Sequence, residues 1–436
     1  MTQHAPDIRT KPPCSREDAL AVLKRLREHK HIAYFAGGCV RDELLGRMPK
    51  DYDVATDAPP EQVRKLFART QAVGHAFGVI LVRHGSSVVE VATFRSDGSY
   101  GDGRRPDTVT FSTPEHDAQR RDFTINGLFL DPLDNGRVID FVGGVADLQS
   151  RTLRAIGDPA HRFAEDHLRL LRAVRFAARF DLTVEPATAA AILRDAPLLK
   201  RISPERIADE LRLALTPPTR SLAWRLLWEF RLGPTAFRPP PFSPAPATDP
   251  PRSLFLRVSP DAAIRFGLAL AGAALDLQVQ AGHEVRAVVQ KKHLHSLVHS
   301  LRQSLKISND ESEEMQHTLE ALGPLLADRP PTEAALKRFH AGPTADNTRR
   351  LLDALYGLGH HVPRIDELRP RLAALDGVDC APAPLITGDD LTAAGLTPGP
   401  VFKRVLDAVY DAQLEGRIAG KAEGLAMALQ LAGKPG

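Results

Sequence analysis

The chain has 436 residues, 43% hydrophobic and 25% charged, with a formal net charge of only +3. This is the balance of a globular protein of roughly two to four domains. It excludes a globally basic nucleic-acid binder, so a basic site has to be a local patch. Cys14, Cys39 and Cys380 are odd in number and far apart, which excludes a disulfide framework or a zinc spacing and fits a reducing compartment.

In chain order, MTQHAPDIRTKPPCSRED (1–18) lacks the apolar core of a signal peptide, and no window has the apolar length to span a membrane. A cytoplasmic protein without membrane attachment is expected. REDALAVLKRLREHK (16–30) has the period of an amphipathic helix, with Ser15 placed to cap it and Asp18 three residues on. IAYFA (32–36) and YDVAT (52–56) read as strands, and PPEQVRKLFAR (59–69) as a helix opened by proline. VILVRH (79–84) and SVVEVATF (87–94) read as a hairpin around Gly85 and Ser86. FRSDGSYGDGRRPDTV (94–109) is Gly-rich and charged and reads as irregular, whereas PEHDAQRR opens a helix.

Beyond about residue 160 the patterns become helical, most clearly in EDHLRLLRAVRFAARF (165–180) and PERIADELRLAL (204–215). A Pro-rich stretch at 234–252 reads as a linker or surface loop. Helical periodicity resumes near 259 and runs to 375, and short helices broken by Gly and Pro follow from 382. The expected class is α+β: a small mixed sheet with helices in a head (16–145), then an all-helical neck (146–233), body (253–375) and tail (382–436).

The chemistry concentrates in the head. Residues i and i+2 of a strand share a face, so Asp51 and Asp53 are expected side by side. Such a pair repels unless a cation lies between, and hard cations such as Mg²⁺ take oxygen ligands. The alternative is a polar strand end. Gly37 and Gly38 follow an apolar strand and precede a helical stretch, an arrangement that lets backbone N–H groups approach a phosphate, with Arg41 in the first turn. No G-x-x-x-x-G-K-[ST] loop occurs. Glu90, alone in an apolar strand, either completes a metal site beside YDVAT or pairs with an arginine.

GGCVRDELLG…KDYDVAT resembles the first motif of the class II tRNA nucleotidyltransferases and bacterial poly(A) polymerases. RRDFTINGLFLDP (120–132) resembles their second, GDPAHRFAEDHLRLLRAVRFAARF (157–180) the third and fourth, and SPERIADEL (203–211) the fifth. The resemblance implies a polymerase-β-like nucleotidyltransferase head in which Asp51 and Asp53 hold two divalent ions, Mg²⁺ in kind. It implies in-line transfer of a nucleotide to an RNA 3′-hydroxyl with loss of pyrophosphate. It assigns Gly38 and Arg41 to the triphosphate and Arg121 to the nucleotide. Asp122 and Asn126 go to the ribose or the neighbouring loop, and Arg172 and Arg175 to the triphosphate or base.

Asp166 and Arg169 match the family's E-D-x-x-R base-reading motif, and their chemistry can be reasoned directly. Three apart on a helix, they are neighbours. Ionised Asp only accepts hydrogen bonds and Arg only donates. Cytosine and adenine offer an amino donor beside an unprotonated ring nitrogen, whereas uracil and guanine offer the reverse, at roughly 1–3 kcal/mol per mismatch. The pair therefore selects C and A. In the family the segment at 94–109 is a flexible loop needed to switch from C to A. FGVILV (77–82), the tail LITGDDLTAAGLTPGPVFKRVLDAVYDAQLEG and the absence of an Arg-rich C-terminal run resemble the CCA-adding group. The implied activity is addition of CCA to the tRNA 3′ end from CTP and ATP. The alternatives are addition of A alone, poly(A) synthesis, or an inactive RNA-binding relative. KKHLHSLVHSLRQSLK (291–306) is read as a basic helix, either touching RNA phosphates or simply solvated.

Overall fold

The computed structural model describes residues 14–73, 78–98, 108–237 and 252–433. Residues 1–214 with 222–236 form one compact unit, and 215–221 with 237–436 a second. The expected boundary between head and neck falls inside the first unit. The centre of the Pro-rich stretch, 238–251, lies outside the described residues, and Gly233–Ala236 before it is a helical turn.

The first unit opens with α1 (Arg16–Glu28), which Ser15 caps by accepting the Asp18 N–H, as its sequence predicts. It then runs β1 (Ala33–Ala36), α2 (Gly38–Leu44), β2 (Val54–Thr56), α3 (Pro60–Leu66), β3 (Thr70–Ala72), β4 (Val79–His84) and β5 (Ser87–Thr93). Two short strands, β6 (Arg95–Asp97) and β7 (Val109–Phe111), pair with each other. After them come α4 (Pro114–Gln119), β8 (Leu128–Asp131), β9 (Arg137–Asp140) and α5 (Gly144–Gln149). The helical part contributes α6 (Pro159–Glu165), α7 (Arg169–Phe180), α8 (Pro186–Asp195), α9 (Pro204–Leu215) and α10 (Arg220–Glu229), except that Leu215 at the end of α9 and Arg220 and Ser221 at the start of α10 count with the second unit.

Seven strands make one mixed sheet in the order β3-β4-β5-β2-β1-β8-β9. β4 and β5 are the expected hairpin, with His84 opposite Ser87 and Gly85 at φ +57, a left-handed turn conformation that favours glycine. β2 lies parallel to β5 and antiparallel to β1. Ala36, Ala55, Phe94, Ala118 and Phe129 form a core cluster, with Phe94 edge-on to Phe129.

Three expectations need correction. The strand expected over 52–56 begins at Val54, although its pairing with β1 continues one step further, since Asp53 O accepts the Ala36 N–H. The segment expected to be irregular over 94–109 carries β6 and β7 at its ends, and its centre, 99–107, lies outside the described residues. The continuous helix expected over 165–180 is interrupted: α6 stops at Glu165, Asp166 is extended (φ −153, ψ 107), and α7 starts at Arg169. The cause is local. The Asp166 carboxylate accepts the Leu168 N–H, a side-chain bond that competes with helix continuation.

In the second unit, the helix Phe266–Gln280 is buried from Phe266 through Gln278, as expected of a helix apolar on every side. Tail helices Pro400–Leu414 and Lys421–Leu431 share a core of Ile386, Leu391, Val405, Val409 and Ala428. The helix Glu333–His340 joins them through Arg338, whose Nε donates to Asp411 (2.7 Å), and Lys337, which donates to the Leu414 carbonyl (2.7 Å). No helix among the described residues is long and apolar enough to cross a membrane. All three cysteines are buried.

Candidate active site

A cavity of about 650 Å³ opens in the first unit over β2 and β5. Nine arginines line it (41, 95, 120, 121, 169, 172, 175, 179 and 206) against four carboxylates: Asp53, Glu90, Asp122 and Asp166. Such an excess of positive charge over low-dielectric walls concentrates polyanions. Gly37, Gly38 and Asn126 also line it, so the cavity gathers every residue named from the sequence except Asp51.

The acidic end lies on the sheet. Asp51 and Asp53 are both half-buried while Tyr52 between them is buried and donates to Glu43 (2.6 Å), so the two carboxylates share the alternation expected of extended chain. Only Asp53 lines the cavity; Asp51 Oδ1 accepts the Cys14 N–H (3.3 Å). β5 does neighbour β2, with Val54 opposite Val91, which sets Glu90 one step along beside Asp53. Val89 and Val91 are buried and Glu90 half-buried, as strand alternation requires. These are oxygen donors, the kind that suits Mg²⁺. Among the described residues no group of three or more His, Cys, Asp or Glu is placed to hold a metal ion.

The glycine turn has a packing reason. Gly37 has φ +69, and a Cβ there would lie 2.6 Å from Arg121 Nη1. Arg121 is held from below by Asp117, whose Oδ2 accepts from its Nε (3.1 Å) and Nη2 (2.9 Å), while its Nη1 donates to the Asn126 carbonyl (3.1 Å). Asp117 also pairs with Arg120 at 2.8 Å. Burial pushes the Asp117 carboxyl up, but Arg121 and Arg120 outweigh it and hold it below the usual carboxylate range.

Arg41 does not extend as a free fork. Its guanidinium is buried, donates to Asp42 (2.7 Å) and to the Asn126 side-chain oxygen, and lies 4.2 Å from the centre of the Phe180 ring. Burial lowers its pKa from the usual arginine value. Asp122 is likewise a hub. Its Oδ1 accepts from the Phe123 N–H (2.8 Å) and Asn126 Nδ2 (2.9 Å), and its Oδ2 from Arg172 Nε (2.8 Å) and Nη2 (2.7 Å). Burial opposes its charge, yet Arg172 and Asn126 hold it at about 2. Arg175 pairs with Glu210 (2.6 Å) and stacks on Phe176 at 4.2 Å.

Asp166 and Arg169 both line the cavity, but not as the i,i+3 pair of a single helix. Asp166 Oδ2 accepts from Arg206 (2.6 Å), and Arg169 pairs with Glu165 and donates to the Arg162 carbonyl (2.7 Å). An ionised carboxylate has about four acceptor sites. Two of them on Asp166 are engaged, by Leu168 and Arg206, which leaves room for a base amino group. Sequence reasoning missed Asp117, Arg206 and Glu210. A spacing signal was present only for Asp117, which stands three and four residues before Arg120 and Arg121; Arg206 and Glu210 pair with residues on other elements.

With this geometry in place, comparison with known proteins is direct. Residues 33–154 match the model of the poly A polymerase head domain, and 181–240 that of the probable RNA and SrmB-binding site of polymerase A. A CCA-adding enzyme of Geobacillus stearothermophilus is 43% identical over 220 residues, 50% of this chain and 54% of that protein. One from Streptococcus suis is 44% identical over 195 residues, 44% and 48% of the two chains. The alignments thus span about half the length of these curated relatives. A crystal structure of the Bacillus stearothermophilus CCA-adding enzyme in complex with CTP superposes with a TM-score of 0.71 at 30% identity, over 95% of this chain and 96% of that one. A Thermotoga maritima CCA-adding enzyme complexed with tRNA_CCA shares the fold, with a TM-score of 0.62 at 21% identity over 94% and 93%. The chain belongs to the class II nucleotidyltransferase family of the bacterial CCA-adding enzymes and poly(A) polymerases.

Proposed function

We propose that this chain adds C, C and A to the 3′ end of tRNA without a nucleic-acid template, using CTP and ATP and releasing pyrophosphate. The observation that carries the proposal is the convergence of Asp53 and Glu90, nine arginines, and Asp166 with Arg169 on one cavity. Likeness to a CTP-bound CCA-adding enzyme along almost the whole chain supports it. We assign residues 16–145 to the catalytic head, 146–233 to a nucleotide-selecting neck, 234–252 to a linker, and 253–375 and 382–436 to a body and tail that hold the RNA. We place the reaction in the cytoplasm, a reducing compartment that suits three cysteines odd in number and far apart in the chain.

In this reading Asp51 and Asp53 hold Mg²⁺, with Glu90 as a further oxygen donor across the β2–β5 pair. When bound, the ions supply the charge that activates the RNA 3′-hydroxyl and neutralises the triphosphate. The chain's own groups do the rest. Arg120 and Arg121, fixed by Asp117, face the triphosphate. Asp122 ties Arg172 to Asn126 and so holds the second motif against α7. Asp166 accepts the amino hydrogen of C or A while Arg169 donates to the ring nitrogen, and U and G meet like partners.

The test offers tRNA ending before CCA, in C and in CC, with CTP, ATP or both, and Mg²⁺. Completion of all three, then arrest, is expected. Activity with ATP alone, confined to the CC-ended tRNA, would replace the reading by A-addition, and a long A-tail on unrelated RNA by poly(A) synthesis. Asp53→Asn should lower kcat by at least about a thousandfold with tRNA binding retained; near-normal turnover would remove the metal assignment.

A further inference from the structure

Arg162 lies on α6, four residues before Asp166, and was not among the residues singled out from the sequence. Its guanidinium makes contacts in two directions. Toward the second motif, Nη2 donates to the Gln119 carbonyl (2.7 Å), Nη1 to the Arg120 carbonyl (3.3 Å) and Nε to the Ile156 carbonyl (3.2 Å). Toward the base-reading motif, Nη1 pairs with Glu165 (3.0 Å). Glu165 in turn pairs with Arg169, and Arg169 Nη1 donates to the main-chain carbonyl of Arg162 itself (2.7 Å). Arg162, Glu165 and Arg169 have side chains only 12%, 14% and 11% exposed, so the three are held in a largely dry chain of charges.

We infer that Arg162 is a specificity-positioning residue: it fixes base-reading Arg169 relative to Arg120 and Arg121 on the triphosphate side. The inference rests on the function proposed above and adds to it a residue that touches no substrate. The carbonyls that Arg162 grips belong to Gln119 and Arg120, the residues leading into Arg121. The same guanidinium therefore joins the end of α4 to Glu165 on α6, and Glu165 carries the link on to Arg169 at the start of α7. Rejection of U and G depends on Arg169 being unable to turn away from a mismatched edge. A guanidinium tethered through Glu165 and the Arg162 carbonyl is denied that escape. Loosened, it would find water instead, and the penalty for the wrong base would shrink. The triphosphate arginines are held separately by Asp117, so nucleotide binding as such survives the loss of Arg162.

Lysine cannot replace this grip, because a single ammonium on a flexible stem does not reproduce a planar fork on three carbonyls and a carboxylate. Arg162→Met and Arg162→Lys separate the roles. The measurement is single-nucleotide incorporation with CTP, ATP, UTP and GTP on tRNA ending before CCA and in CC. The expected result is that Arg162→Met lowers the CTP-over-UTP ratio of kcat/KM at least tenfold, with Arg162→Lys intermediate. A merely structural loss lowers all four nucleotides alike, because the ratio does not depend on how much of the enzyme is folded. An unchanged ratio in Arg162→Met overturns the inference, however low its activity. Should that variant fail to fold, Glu165→Gln is the second probe: it keeps the hydrogen bonds, removes the charge, and should relax the same ratio. An unchanged ratio there also overturns the inference. A wild-type enzyme with no preference for C and A would instead sink the functional reading on which this one rests.

Discussion

Arg175 in the first unit and Arg220 in the second are both buried arginines, and they are satisfied by different kinds of partner. Arg175 pairs with Glu210, stacks on Phe176 and lines the cavity. Arg220, 1% exposed, donates to the backbone carbonyls of Pro217, Val258, Ser259 and Ala262. Among the described residues no carboxylate forms an ion pair with it, and burial, with Arg350 adding to it and Asp261 opposing it, pushes Arg220 down to about 10. The same contrast holds for acids. Asp122 sits among arginine donors, whereas Asp276 accepts from the Ser253 hydroxyl, the Leu254 N–H and Gln280, and burial raises its pKa. A buried charge alone therefore does not mark a site. What distinguishes the first unit is that buried charges such as Asp122 with Arg172 and Arg175 with Glu210 pair with one another and still border open space.

The largest expected break in this comparison is Arg220→Met. It orphans several buried carbonyls at once and should cost about 3 kcal/mol of stability, read as a lower midpoint in chemical denaturation. Incorporation per folded molecule should be unchanged; a selective loss of kcat would show that Arg220 is not the purely structural member of the pair.

Next comes Asp122, held at about 2 against an ordinary 3.8. Its folded pKa is depressed, so its contribution, on the order of 2 kcal/mol, is fully present above about pH 4 and lost as pH falls toward its folded value. Asp276 has the opposite sign: its pKa is raised, so its protonation favours the fold, and that contribution declines as pH rises from 3.8 through the raised value. Stability measured against pH for Asp122→Asn and Asp276→Asn should lose these opposite slopes. Slopes of the same sign would erase the distinction.

The smallest effect is expected from Gly37→Ala. The φ of +69 and the displaced Arg121 together cost about 1–2 kcal/mol. The loss should appear as a raised KM for both CTP and ATP with their ratio preserved. A changed ratio would move Gly37 from the triphosphate side to base reading.

Legibility of the sequence followed the range of the interactions. The Ser15 cap, the Gly85–Ser86 hairpin and the alternation around Glu90 are local and were read correctly. The strand Leu128–Asp131 was missed because all four of its residues are buried, so it has no alternation to betray it. The helix expected through Asp166 failed because one carboxylate chose a backbone N–H two residues on, a competition that periodicity does not register. The gathering of site residues was legible only through motif order. Partnerships such as Arg206 with Asp166, forty residues apart, and Arg172 with Asp122, fifty apart, carry no spacing signal at all.

The buried cysteines give the folded molecule an unplanned reporter. Burial pushes the Cys39 thiol up to about 12 and raises Cys380 as well, so little thiolate exists in the native state to meet an alkylating reagent. Cys14 and Cys39 lie in the first unit and Cys380 in the second. Mass-resolved alkylation would therefore time the opening of each unit separately, without a label having to be introduced.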